Sequence, residues 1–477
     1  MGQEIASSHF NPADFIEFQH RLEQEMALLR NYFCQSRFGG QGNVAGFELE
    51  AWLVDPLGQP QPKNVEFLTR LNNPDVVSEL SRFNIELNTE PRQLQANILS
   101  DMEADLSRTW RQCNQTASEF DCSLMMIGTL PTIKDSQLTL ANMSPTERYR
   151  ALNQQVLRLR GGQALRLDIN GHDHVHMSHG DVMFESAATS FQVHLQTPFE
   201  FAARYYNAAH IVSAPIVAVS ANSPYLFGRD LWDETRIPLF EQAVDLAGSS
   251  RDECGGHGRV TFGAAYVKES LLECFERNQR CYPVLLPTLL DEPLEALAHI
   301  RLHNGTVWRW NRPLIGFSAN GEPRIRLEHR VIPAGPTILD TIANAALFFG
   351  IVEMLAQQDQ APESLLDFEQ ARSNFYQAAQ HGLRAHIQWL DGKTYPIQTL
   401  LQQQLLPLAH QGLARLQINP EDRQRFLNVI EARLSSSQNG TNWQRAYIAK
   451  HGHDFAALTR AYRARQESGE PVHQWTL

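Results

Sequence analysis

Glu48 and Glu50 stand two residues apart in Gly46-Phe47-Glu48-Leu49-Glu50-Ala51-Trp52-Leu53-Val54, and that spacing is chemically suggestive. On a strand, successive side chains point to opposite faces. Phe47, Leu49, Ala51 and Leu53 then share one face, and the two carboxylates share the other. Paired acids repel unless a cation lies between them or water bathes the face.

The same alternation recurs at long range. Asn84 to Glu90 sets Ile85 and Leu87 against Glu86, Asn88 and Glu90. Phe191 to Gln196 sets Phe191, Val193 and Leu195 against Gln192, His194 and Gln196. Arg324 to Val331 places Arg326, Glu328 and Arg330 together, with Arg324 in line. A solvated antiparallel sheet is the plain reading of such strands. Yet these faces hold no lysine or serine, with acids early and arginines late, which suits the floor of a site. Oxygen-rich donors suit hard cations such as Mg²⁺, and His194 would suit Mn²⁺ or a phosphate contact. Arginine forks match phosphoryl oxygens. Metal- and nucleotide-dependent phosphoryl transfer is the chemistry these types support.

The elements that must position these residues are legible around them. Asn11-Pro12 predicts a capped helix carrying Phe15, Phe18, Leu22, Leu29 and Phe33. Leu94, Ile98, Met102, Leu106 and Trp110 predict an amphipathic helix over 94–113. Residues 124–128 read as a strand and 202–221 as a helix. The polar stretch 168–180, with His172, His174 and His176, reads as a surface loop rather than a zinc site, for want of a matching ligand set. Asn419-Pro420 starts a helix that ends over 435–440. The apolar run 338–356 is broken by Asp340, Asn344 and Glu353 and predicts a buried helix, not a membrane span.

At 477 residues with 20% charged residues and a formal net charge of −12, the chain is ordinary for a globular protein and unsuited to bulk binding of nucleic acid or anionic membrane. There is no G-x-x-x-x-G-K-[ST] loop, and Gly255-Gly256-His257-Gly258 is not a dinucleotide fingerprint. No secretory signal is visible. Six cysteines without a Cys-x-x-Cys pair read as free thiols in a reducing cytoplasm, with Cys254 a lesser nucleophile candidate. An α+β core spans the matched strands. The division expected is a packing helix over 1–40, a catalytic core over 41–350 and a helical region over 351–477.

Five motifs in register resemble one family. Gly46-Phe47-Glu48-Leu49-Glu50, Ile85-Glu86-Leu87-Asn88, Phe191-Gln192-Val193-His194, His303-Asn304-Gly305-Thr306 and Arg326-Leu327-Glu328-His329-Arg330 follow the order of type 2 glutamate–cysteine ligases of the carboxylate–amine ligase group. The resemblance implies a glutamine synthetase-like curved antiparallel sheet flanked by helices. It also implies ATP and Mg²⁺ as cofactors, small-molecule substrates as partners, and amide formation through an acyl phosphate. By the family pattern Glu48, Glu50, Glu86, His194 and Glu328 would hold metal. Gln192, Arg326 and Arg330 would meet the nucleotide, with Arg330 and Glu328 catalytic. Asn304, Thr306, Trp310, Arg312 and Arg236 would line the substrate side. Glutamate and cysteine are the substrates leaned toward. The alternatives are a ligase for another amine and a non-catalytic nucleotide-binding relative.

Overall fold

The structure is a computed structural model that describes residues 4–40, 42–246 and 258–477. Its main sheet has eight strands: β1 (Val44–Val54), β2 (Val76–Ser78), β3 (Asn84–Asn88), β4 (Arg92–Gln93), β5 (Ser123–Met125), β6 (Ser190–Gln196), β7 (Asn311–Phe317) and β8 (Pro323–Pro333). The order across the sheet is β7-β8-β6-β1-β3-β2, and β4 and β5 pair with opposite ends of β1. Every pairing is antiparallel. The expected α+β class and curled antiparallel sheet with flanking helices is the fold observed.

The apolar side of the sheet is covered by helices Ala202–Ser220 and Ile338–Ala356. Phe47 meets Phe191 at 4.8 Å between ring centres and Phe349 at 6.2 Å, while His329 stacks on Phe348 at 4.1 Å. Helix Ile338–Ala356 is long and apolar enough to cross a membrane, but 89% of its apolar window is buried inside the molecule. It is a core helix, as its interrupting polar residues predict. Asp340, one of them, pairs with Arg433 at 2.7 Å and so fastens helix Pro420–Ser436 to the core. Further along the chain, Tyr462 Oη and Gln466 Nε2 both donate to the Met126 carbonyl, at 3.0 and 2.8 Å.

The other side of β1 is polar only up to Glu50. Beyond it Trp52 is fully buried against Phe83, with stacked rings 5.5 Å apart, and its Nε1 donates to Thr189 Oγ1 at 3.1 Å. This second apolar core closes one end of the polar face.

At the chain's start, Asn11 caps helix Pro12–Cys34 in a reciprocal box with Asp14. Other expectations shift. The helix expected from Leu94 starts at Ile98, because Arg92–Gln93 pair with the edge of β1 and Leu94 N donates to the Asn43 carbonyl. Stretch 168–180 is no loop: Leu165–Asn170 and His174–His179 form a hairpin. His174, His172 and His179 there lie against Asp168, Asp230 and Asp135. Cys34, Cys113, Cys122 and Cys274 are free, but Cys281 is disulfide-bonded, which corrects the reading of six free thiols and removes part of the argument for a reducing compartment. Cys254 lies outside the described residues, as does most of Gly255-Gly256-His257-Gly258.

Candidate active site

Register places the expected acids side by side. Glu50 is opposite Glu86, Glu48 lies between Asn88 and Gln192, and His194 lies between Gly46 and Glu328. Arg312 on β7 is opposite Glu328. Five strands therefore present one polar row, and β1, β3, β6 and β8 do so because each keeps its apolar partners on the helix side.

Two groups of metal-ligating atoms result, each set lying within 4.8 Å of one another. One is Glu48, His194 and Glu328. The other is Glu50, Glu79 and Glu86. Above them opens a cavity of about 290 Å³, walled by Glu48, Glu50, Glu79, Glu86 and Glu185 together with Arg148, Tyr149, Trp308, Arg312 and Arg330; His194 and Glu328 do not line it and reach it through Glu48, Arg312 and Arg330.

In the first group Glu328 is gripped by the Arg312 fork, with Nε to Oε2 and Nη2 to Oε1 both 2.9 Å. Arg330 Nη1 reaches Glu328 Oε2 at 3.2 Å and also donates to Gln192 Oε1. Burial pushes the Glu328 carboxyl up, but Arg312 and Arg330 outweigh it and hold the pKa at about 2. Glu328 is ionised at any working pH. Glu48 behaves alike: burial opposes its charge, His194 favours it, and the balance falls well below the usual carboxylate range. His194 Nε2 sits 3.2 Å from Glu48 Oε1 and 3.9 Å from Glu328 Oε1, and neither ring nitrogen makes an aligned hydrogen bond although both are buried.

The second group has no such bracing. Burial raises Glu79 to about 8, and the charge of Glu50 adds to it. Glu185 is also raised to about 8 by burial and by Glu50. Glu86 is pushed well above its usual range by burial, then by Glu48 and Glu79. Glu50 is raised by burial despite Arg330 and its hydrogen bonds from Ser190 N (2.6 Å), Ser190 Oγ (2.8 Å) and Gln192 Nε2 (2.9 Å).

These donors fit divalent cations. A buried imidazole set against two carboxylates, and a cluster of carboxylates that cannot all ionise alone, are what a hard cation with oxygen ligands would satisfy. His194 in the first group leaves room for Mn²⁺ as well as Mg²⁺.

Several expected residues stand elsewhere. Asn304 is 3% exposed, accepts from Asn278 Nδ2 at 2.8 Å and donates to the Pro313 carbonyl at 2.9 Å. Thr306 Oγ1 donates to the His303 carbonyl and accepts from Arg259 Nη1 at 3.0 Å. Trp310 is buried, with Nε1 donating to Glu241 Oε1 at 2.8 Å. These side chains brace the loop, whereas its Gly305 and Trp308 face the cavity. Arg236 is buried too, held by Glu234 at 3.2 Å and donating through Nη2 to the Val331 carbonyl at 2.6 Å. Arg326 is half-buried opposite Gln196 and does not line the cavity, and Glu90 is exposed beyond the end of β3. Glu79 and Glu185 were not anticipated: one lies between β2 and β3, the other on the short helix Met183–Ala187. Neither sits in an alternating pattern.

The curled antiparallel sheet with flanking helices is a fold shared with solved ligases. The overall structure is similar to a glutamate–cysteine ligase of Francisella tularensis solved in complex with AMP (TM-score 0.54, 12% identity, 90% of each chain covered). It is also similar to a bifunctional glutathione synthetase of Pasteurella multocida (TM-score 0.55, 10% identity), covering 93% of this chain and 55% of that one. No curated protein matches the chain. The family model for glutamate-cysteine ligase family 2 matches residues 44–472, and the chain belongs to that family.

Proposed function

We propose that this protein is an ATP-dependent carboxylate–amine ligase, and that its substrates are glutamate, through the side-chain carboxylate, and cysteine as the amine. The observation that carries the reading is the pair of ligand groups set on either side of the Glu48/Glu50 strand, with Arg330 reaching between Glu328 and Gln192. Glu48, His194 and Glu328 would hold one divalent cation and Glu50, Glu79 and Glu86 another. Bound there, the cations would neutralise nucleotide phosphate charge and hold the phosphoryl group in line.

The chain's own groups supply the rest. Arg330 would offer its guanidinium to the phosphoryl oxygens as a substrate carboxylate oxygen attacks the γ-phosphorus and ADP departs. The amine nitrogen then attacks the acyl carbon, phosphate leaves and the amine loses a proton. Trp308, Tyr149 and Phe240 wall the cavity with apolar surface and limit access of water that would hydrolyse the activated acid.

The test is ADP release over pairs of carboxylates and amines, with mass analysis of products. The expected result is release that needs glutamate, cysteine and a divalent cation together, with a product equal to the two amino acids less one water. ADP release without any product condensed from acid and amine would overturn the ligase reading; a condensed product with another amine would overturn only the cysteine assignment.

A further inference from the structure

A second cavity, of about 220 Å³, shares no lining residue with the acidic one. Tyr206, Tyr266, Cys274, Arg277, Arg280 and Arg309 wall it. Arg309 is 4% exposed, and among the described residues it forms no ion pair with a carboxylate. Its guanidinium meets neutral acceptors: Asn278 Oδ1 at 2.7 Å and the phenols of Tyr206 and Tyr282. The two acids at the cavity wall are spent on other partners. Glu273 accepts from the backbone of Lys268 (3.1 Å), Glu269 (2.7 Å) and Ser270 (3.2 Å), and Glu276 pairs with Arg30 at 2.8 Å.

Burying a guanidinium with no counter-charge is costly, and breaking up a buried pair is among the more expensive changes a protein can undergo. Here the charge is not merely buried but aimed. Asn278 Nδ2 donates to Asn304 Oδ1 at 2.8 Å, and Asn304 Nδ2 donates to the Pro313 carbonyl at 2.9 Å. That chain fixes which way the Asn278 amide faces, and its Oδ1 then fixes Arg309. Arg277 feels the consequence: burial and then the charge of Arg309 both lower its pKa. Like charges are being held together at a concave surface, and a guanidinium fork is matched by the planar or tetrahedral oxygens of an oxyanion.

We propose that this cavity is a binding site for a small oxyanion, a phosphate or a carboxylate, held by Arg309 at its base and Arg280 at its rim with Arg277 beside them. The inference does not rest on the ligase reading, since none of these residues touches the acidic cavity.

Calorimetry on the full chain tests it, with inorganic phosphate in one arm and acetate in the other. Both arms use the Arg330→Gln variant so that phosphate at the acidic cavity does not dominate. The expected result is binding of at least one anion; the arm that binds identifies the chemistry. Arg280→Glu in that background should weaken it at least about tenfold, the loss of a charge-assisted hydrogen bond, and Arg309→Met should remove it. Arg280 is exposed, so its variant decides the matter should Arg309→Met fail to fold. Binding of neither anion, or an affinity unmoved by Arg280→Glu, would overturn the site.

Discussion

The two halves of the acidic cavity hold similar side chains in opposite electrostatic states. Around Glu328, two arginines and a histidine already balance the charge, and the carboxyl stays ionised with a pKa of about 2. Around Glu50, Glu79, Glu86 and Glu185 burial outweighs the help that Arg330, Arg148 and Ser190 give, and Glu79 and Glu185 rise to about 8. Geometry alone does not distinguish the halves, since each brings three ligand atoms within 4.8 Å. Charge compensation does. The Glu328 half is preorganised, with its arginine cage in place before any substrate arrives. The Glu50 half is held protonated until a cation displaces the protons.

The largest expected effect comes from removing the balanced half. Glu328→Gln leaves Arg312 and Arg330 buried without their carboxylate, a loss of about 3–5 kcal/mol of stability by the usual cost of breaking a buried pair. Product formation should fall about 10³-fold. A thermal melt beside a steady-state assay reads both; near-native turnover would break the comparison at its stronger end. Glu79→Gln should act differently, weakening divalent-cation affinity by roughly 10–100-fold while the melt in metal-free buffer holds or rises. If metal-free stability drops instead, Glu79 was not an uncompensated acid.

Proton release sharpens the contrast further. A cation entering the Glu50 half at pH 7 should displace a proton from Glu79, raised to about 8, so binding heats should vary with the ionisation enthalpy of the buffer. Independence from buffer would mean that no proton leaves on binding and would break the comparison.

The pH dependence of stability follows with its sign. A carboxyl raised from 4.5 to about 8 is protonated in the folded chain where the unfolded chain has ionised. Its contribution is complete below about 4.5 and is lost as pH climbs towards 8, so metal-free melting temperature should fall across that window. Glu328, lowered to about 2, adds stability lost only as pH falls from 4.5 towards 2. Saturating Mg²⁺ should flatten the upper slope. The smallest effect expected is Arg312→Lys, which keeps the charge but loses the fork, for about a tenfold drop in turnover.

Much of this was legible in the residues. Period-two alternation is a sufficient signal where one face of a strand is packed on helices, and it placed Glu48, Glu50, Glu86, Gln192, His194, Glu328 and Arg330 on one surface. Glu79 and Glu185 escaped because short connections between elements carry no period, and only the fold brings them over Glu50. Asn304, Thr306 and Trp310 stand outside the cavity lining for the opposite reason. Hydrogen-bonding groups in a dense aromatic segment can serve the loop itself as readily as a ligand, and spacing does not tell which. The hairpin at 165–179 was hidden by its many histidines and aspartates, which pair with one another at the surface and obscure the alternation of Leu165, Leu167 and Ile169.

One irregularity in the long strand has a consequence for how this chain can change. Between His329 and Ile332 the pairing with β6 slips by one residue, so Arg330 and Val331 together face Gln192. The slip turns Ile332 back to the helix side, and the Val331 carbonyl it frees is taken up by Arg236. Arg236 therefore has a second task beside its pairing with Glu234. A one-residue deletion in this stretch would cost Arg236 its Val331 acceptor and shift Arg330 away from Gln192.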